Sequence, residues 1–293
     1  MKQAAMLVVI ILATFVSAQP QTTPAPSSPP QAGTAPAQPA AKRPPQAKTQ
    51  AEFDAYKTAS AGTNDAAAME KAADDFATKF PDSELRILLY RTAMHSYQTS
   101  NNADKMLEMG RKVLKLDPDD PEALVGVAQV LAERTRESDL DKDQRLDEGT
   151  KLAQHAVQTA DTDITVPPGT PQEKVDAYKG FLRSNAYYVL GTIQYTREKY
   201  ADAEGYFRKS LDAFPSQPDA LAVLRLALSL DKQEKYPEAL KFANQAVQMT
   251  EGNQGNPTLA NLARNERDRL VQLTGGAPAS KPPASAQNPQ PKN

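Results

Sequence analysis

The 293-residue sequence has no cysteine and only two histidines. Without cysteine the chain can form no disulfide, no thiolate zinc site, no iron–sulfur cluster and no cysteine nucleophile. The histidine count also excludes a histidine-rich metal site. The sequence has no Gly-rich phosphate loop and no Ser-His-Asp spacing. It therefore predicts a protein that is not an enzyme and that needs no cofactor and no metal.

Long apolar runs are also missing, except at the N-terminus. Lys2 precedes the eleven-residue apolar run Met6–Val16, and Val16-Ser17-Ala18 then provides small residues. This is the pattern of a secretory signal peptide over residues 1–18, cleaved after Ala18. We expect an exported protein, periplasmic or alternatively extracellular, with no stable membrane insertion after cleavage. A retained anchor is the alternative, although a span needs about 17–25 apolar residues.

Acidic residues are absent from both ends of the chain. Residues 19–50 hold nine of the 24 prolines and three basic residues, and residues 274–293 hold five prolines and two lysines. Neither segment can bury enough apolar surface to offset its ordering entropy, so we expect a disordered linker and a disordered tail. The net charge is −2, and the six cations outside residues 51–273 leave that segment at −8. We expect no nucleic-acid partner, because phosphate binding needs a positive surface.

Residues 51–273 carry apolar residues at helical spacing and few β-branched residues, which predicts an all-α fold. One unit in this segment contains, in order, Tyr187, Leu190, Gly191, Tyr200, Ala203, Phe207 and Pro215. It resembles the tetratricopeptide repeat, whose pattern is W-x2-L-G-x2-Y, then A-x3-F, then P. The same 28-residue distance from an aromatic residue to a proline occurs from Phe53 to Pro81, from Tyr90 to Pro118 and from Tyr187 to Pro215.

This resemblance implies an α-solenoid of tetratricopeptide-type helix pairs with a C-terminal capping helix. Insertions at 134–145 and 161–170 interrupt the regular spacing. The expected units are residues 50–83, 87–120, 121–160, 184–217 and 218–251, followed by a cap helix over 257–273.

The resemblance further implies that a peptide or protein binds in a concave groove lined by the first helices of the pairs. The groove-facing residues expected to bind are Arg91, His95, Gln98, Asn185, Tyr188, Thr192 and Tyr195. Among them, Tyr188 and Tyr195 are expected to be amphipathic contacts, and Arg91, His95 and Gln98 to hold a carboxylate or a peptide backbone. Tyr187 is expected to be buried between helix pairs. For each residue the alternative is ordinary solvent exposure or packing within the array.

One other feature has a functional and a structural interpretation. Asp139, Asp141 and Asp143 have the spacing of a calcium loop, but Gln144 and Thr150 stand where glycine and glutamate are required. A charged loop is the alternative.

For the whole chain, the sequence favours a non-catalytic adaptor or scaffold in a bacterial cell envelope. The alternatives are an envelope-biogenesis or cell-division factor of the same repeat type and a recruiting subunit of an enzyme complex.

Overall fold

The computed structural model describes residues 42–61, 65–167, 169–251 and 256–275. Every regular element in these residues is an α-helix and none is a β-strand, which confirms the all-α prediction. No helix in the described ranges is both long enough and apolar enough to cross a membrane. The expected signal peptide lies outside the described residues, as does most of the expected tail.

The described residues contain eleven helices. They are α1 (Gln50–Ser60), α2 (Ala66–Lys79), α3 (Arg86–Thr99), α4 (Ala103–Leu116), α5 (Pro121–Arg134), α6 (Lys142–Thr159), α7 (Gln172–Thr196), α8 (Tyr200–Ala213), α9 (Ala220–Asp231), α10 (Tyr236–Thr250) and α11 (Pro257–Leu273).

The helices belong to two compact units. The N-terminal unit includes the described residues up to Ile193, and the C-terminal unit begins at Gln194. Within each unit, a helix packs mainly on the helices that precede and follow it in sequence. This packing of neighbours in sequence is the arrangement of an α-solenoid, in which each helix pair buries its apolar face against the next pair.

Polar caps and prolines determine where several helices begin. Asp120 accepts a hydrogen bond from the Ala123 N–H, and Pro121 occupies the first turn of α5. At the start of α11, Asn256 accepts from two backbone N–H groups and Pro257 follows it. These side chains satisfy donors that a helix N-terminus leaves unpaired, and proline has the backbone angle that the first turn needs.

Small residues allow the N-terminal helices to cross closely. A side chain at Gly110 of α4 would lie 2.6 Å from Val127 of α5, which no real Cβ contact tolerates. Ala93, Ala123 and Ala153 are fully buried in the same unit. Close crossings of this kind need small side chains at the contact points, because the interior is already filled to crystal-like density.

Residues 42–49 correct the expected boundary of the disordered linker. Lys42 forms an ion pair with Asp117 at 2.6 Å, and Arg43 forms one with Glu84 at 2.8 Å. The Lys48 ammonium donates to the Asp82 carbonyl at 2.7 Å. These basic residues find acidic or carbonyl partners on the N-terminal unit, so this part of the segment has specific contacts. Residues 19–41 lie outside the described residues.

The turns inside three helix pairs have the same geometry. Asn101, Glu198 and Glu234 each have a positive φ, between 56° and 60°. In each turn the next N–H donates to a carbonyl five residues back, as from Lys199 to Gln194. This is the common way in which an α-helix ends, with one residue in the left-handed conformation. That residue is usually glycine and sometimes asparagine. The repeat therefore includes a repeated turn as well as repeated helices.

Candidate functional site

A cluster of charged and polar side chains lies in the N-terminal unit, between α3, α5 and α7, with one member buried and the others partly buried. Arg91 of α3 forms ion pairs with Asp120, and its Nε is 3.7 Å from Glu122. The other Glu122 contacts are His95, at 2.7 Å, and the Tyr178 hydroxyl, which donates to it. We call Arg91, His95, Asp120, Glu122 and Tyr178 the Arg91 cluster. Its two carboxylates thus engage a guanidinium, an imidazole and a phenol.

Burial and charge shift the pKa values in this cluster in opposite directions. Burial by itself raises the pKa of Glu122, but the Arg91 charge and the His95 hydrogen bond lower it to about 2. Burial by itself lowers the pKa of His95, but its bond to Glu122 raises it above the usual value. Asp120 is only 1% exposed, and this burial keeps its pKa raised despite Arg91. At neutral pH the cluster therefore contains a firmly ionised Glu122.

This geometry corrects the expected role of Arg91 as a carboxylate-binding residue. Arg91, His95 and Gln98 do lie together on α3, and His95 is 3.5 Å from Gln98. However, the charge of Arg91 is already balanced by two carboxylates of the same unit. An incoming carboxylate would have to displace Asp120 or approach the ionised Glu122. Sequence reasoning missed this competition because the acids come from a helix about 30 residues further along.

The expected binding residues of α7 are mostly buried. Tyr188 is 8% exposed and Thr192 is 4% exposed, while Asn185 is half-buried. Tyr187, which was expected to be buried, is also only half-buried. The predicted exposure of Tyr188 is therefore wrong. The physical reason is that residues 188–194 of α7 are buried on every side of the helix, so no single face there is available to solvent.

Tyr195 lies in the C-terminal unit and is half-buried beside Tyr200. The two rings are 5.3 Å apart at an interplanar angle of 69°, the edge-to-face arrangement that aromatic pairs favour. The Arg225 guanidinium lies over the Tyr195 ring at 5.7 Å, and the Lys232 ammonium lies over the Tyr200 ring at 5.9 Å. We call Tyr195 and Tyr200 the tyrosine pair. It therefore has a cation on each ring.

The two acids that act electrostatically on Tyr195, Asp231 and Glu266, share one arginine as their ion-pair partner. Arg269 of α11 forms ion pairs with Asp231 of α9 and, at 3.0 Å, with Glu266. Burial raises the pKa of Tyr195. The charge of Arg225 lowers this pKa, whereas Glu266 and Asp231 raise it by smaller amounts. The tyrosine therefore remains protonated at neutral pH and its hydroxyl can donate a hydrogen bond.

Metal ligation has no support in the described ranges. They contain no group of three histidine or acidic side chains that could hold a metal ion. In the calcium-like stretch, Asp139 accepts from the Arg136 N–H at 2.8 Å, and the neighbouring Lys142 forms an ion pair with Glu137. This stretch is a charged connection between α5 and α6.

A family model described as "Tetratricopeptide repeat" matches residues 176–218 and 188–256. Residues 176–256 are thus similar to tetratricopeptide repeats. In these residues Ala203 and Phe207, at the positions of the repeat pattern, are fully buried.

Three solved structures are similar to this chain at low identity. BtubC (BKLC) from P. vanneervenii is 15% identical with a TM-score of 0.49, covering 84% of this chain and 100% of that one. MamA protein is 17% identical with a TM-score of 0.35, covering 64% and 88%. The assembly chaperone of RpL4 (Acl4) is 14% identical with a TM-score of 0.29, covering 72% and 100%. None of these likenesses carries information on function. No curated protein matches the chain.

Sequence reasoning missed Arg225 and Lys232 at the tetratricopeptide repeats. Arg225 is the only basic residue within α9, whose other residues are almost all leucine, alanine or valine. A single charge in an otherwise apolar helix is a usable signal, because such a residue needs either solvent or a partner.

Proposed function

We propose that this protein is a non-catalytic adaptor that binds another protein or a peptide on the first helices of its helix pairs. The observation that supports this most directly is the tetratricopeptide match over residues 176–256, since stacked helix pairs of this type offer extended binding surfaces. In the C-terminal unit, the half-buried Tyr195 is the expected binding residue that best fits this role. Tyrosine suits an interface because it combines a large apolar ring with a polar end.

The proposed adaptor acts outside the cytoplasm, in the periplasm of a bacterium. The support is the N-terminal sequence, in which Lys2, the apolar run and the small residues up to Ala18 follow the order of a cleaved signal. The intact mass of the natively produced protein should correspond to the loss of residues 1–18. A mature protein that keeps these residues in the membrane fraction would contradict the cleavage and favour a retained anchor.

Site-specific photo-crosslinking in cells tests the adaptor function. A benzoylphenylalanine at position 195 should form crosslinks to a discrete partner protein, which mass spectrometry would identify. The matched control is position 244, an exposed asparagine of α10. Equal crosslinking at both positions, or none at position 195, would contradict binding on this surface. The identity of the partner would distinguish an envelope-biogenesis factor from the recruiting subunit of an enzyme.

A further inference from the structure

Arg225 differs from Arg91 and Arg269 in its interaction partners. Arg91 and Arg269 each form ion pairs with two carboxylates. Across the described part of the chain, no carboxylate comes within ion-pair distance of the Arg225 guanidinium, and no hydrogen bond from it is present. Its guanidinium carbon lies 5.7 Å from the centre of the Tyr195 ring, and the residue is partly accessible to solvent. Its charge is therefore available to a ligand.

Lys232 repeats this situation two helical turns further along. It is exposed, lies over the Tyr200 ring, and has no acidic partner among the residues whose positions are described. Lys232 is the C-cap residue of α9, seven positions after Arg225 and still in the helical conformation. The two residues therefore lie on the same side of the helix, separated by about 10 Å along its axis. The two cations thus form a short basic row above the tyrosine pair.

The acids that act on Tyr195 are partly engaged by another arginine. Asp231 and Glu266 both form ion pairs with Arg269, which balances one of their two charges. A cation beside a ring face keeps its hydrogen-bond donors free, and a guanidinium can bind a carboxylate with two parallel bonds. The local arrangement is therefore pre-organised for an anion that also has an apolar part to cover the rings.

We propose that Arg225 on Tyr195 binds an acidic side chain of the partner, and that Lys232 on Tyr200 binds a second one. A peptide in the polyproline II conformation advances about 3.1 Å per residue with three residues per turn. Acidic residues three positions apart therefore lie on one face about 9 Å apart, close to the separation of the two cations. The ligand is accordingly a peptide segment with Asp or Glu at positions i and i+3 and an apolar residue between them. This inference rests on the proposed adaptor function and specifies the partner's chemistry.

The test uses the full chain and a phage-displayed library of linear peptides. Selection should enrich peptides with two acidic residues three positions apart. A selected peptide, synthesised with an amidated C-terminus, should bind in fluorescence polarisation. Arg225→Gln should weaken this binding about tenfold or more, because a charge-assisted hydrogen bond is lost. Changing the facing acidic residue of the peptide to glutamine should cause no further loss in Arg225→Gln.

Lys241→Gln is the matched control, because Lys241 of α10 is an exposed lysine over the Phe242 ring at 5.8 Å. This variant should bind within about twofold of the wild type, and all variants should keep the wild-type melting temperature. The proposal is overturned if acidic residues are not enriched, if Arg225→Gln binds like the wild type, or if only the free C-terminal carboxylate supports binding. In those cases crosslinking at position 195 still tests the adaptor function separately.

Discussion

The two units differ in charge and in how their arginines are used. The N-terminal unit, from residue 42 to 193, has 25 acidic and 20 basic residues, whereas residues 194–275 have eleven of each. In the acidic unit, Arg91 is enclosed by Asp120 and Glu122. In the balanced unit, Arg225 has only an aromatic neighbour. In the C-terminal unit Arg269 is also paired with two carboxylates, so Arg225 differs in its environment both from Arg91 and from Arg269.

This difference shows that a helix position alone does not assign a function. The sequence analysis placed Arg91 among the groove-facing residues because it lies on the first helix of a pair. The charge that is free in the structure belongs instead to Arg225, whose helix has no acidic residue before Asp231. What decides between the two roles is the distance to the nearest carboxylate. That distance depends on which helices pack together.

The largest expected effect distinguishes Tyr188 from Tyr195, two of the tyrosines of α7. Tyr188→Ala should lower the free energy of unfolding by about 4 kcal/mol, because Tyr188 is buried and its removal leaves a cavity. Tyr195→Ala should cost about 1 kcal/mol, because the ring is half-exposed, but it should reduce partner capture. Urea titration followed by circular dichroism measures the first effect. Equal destabilisation by both substitutions would contradict the assigned burial.

The second prediction compares the arginines. Arg91→Leu should destabilise the protein by about 3 kcal/mol, because it leaves the buried Asp120 and the partly buried Glu122 without the guanidinium. Arg225→Leu should change the free energy of unfolding by less than about 0.5 kcal/mol, because no buried partner is left behind. Both values come from urea titrations at neutral pH. If Arg91→Leu proved neutral, the Arg91 cluster would not stabilise the fold.

The third prediction concerns pH and the N-terminal unit. Glu122 has a folded pKa of about 2 against an ordinary 4.5, so its contribution is present above about pH 4.5 and is lost as the pH falls toward 2. The shift corresponds to at most about 3 kcal/mol, and we expect about 2 kcal/mol because Glu122 keeps some exposure. The raised pKa of Asp120 acts in the opposite direction, since its ionisation costs stability.

At the other end of the pH range, His95 has a raised pKa. Its contribution is therefore fully present below about pH 6.5 and is lost as the pH rises through the folded value. Urea titrations from pH 3 to pH 8 should show this profile in the wild type. The profile should flatten in Glu122→Gln, in which His95 also loses its charged partner. An unchanged profile in this variant would rule out Glu122 as its source.

The smallest expected effect compares the turns inside the helix pairs. Asn101 of the N-terminal unit tolerates the left-handed conformation better than Glu198 and Glu234 of the C-terminal unit. Glu234→Asn should therefore raise the free energy of unfolding by about 0.5 kcal/mol, and Asn101→Glu should lower it by a similar amount. Thermal melts monitored by circular dichroism are sensitive enough for both. Changes of the same sign would argue against a shared turn geometry.

Much of the fold follows from local sequence signals. The spacing of Ala203 and Phe207 predicts two helices that cross closely, and both side chains are buried. Asn256 and Pro257 mark the start of α11, which covers the residues expected for the capping helix. These signals can be read from the sequence because helix capping and helical periodicity involve residues only a few positions apart.

Other features depended on contacts between distant residues. Residues 42–49 have the composition of a linker, yet Lys42 reaches Asp117, 75 positions away. Tyr188 has the helical phase of a groove residue, but α7 is covered on all sides at that point. Composition and periodicity describe one helix at a time. They do not indicate how many neighbours that helix will have.

The sequence by itself determined that this protein is helical and repetitive, that its helices begin at particular caps, and that it can use no cysteine chemistry. Only the tertiary structure decided that Arg91 is neutralised, that Tyr188 is buried and that Arg225 keeps an available charge. The physical reason is range. Helix formation and capping depend on neighbours within about four residues, whereas charge pairing and burial depend on side chains brought together from separate helices.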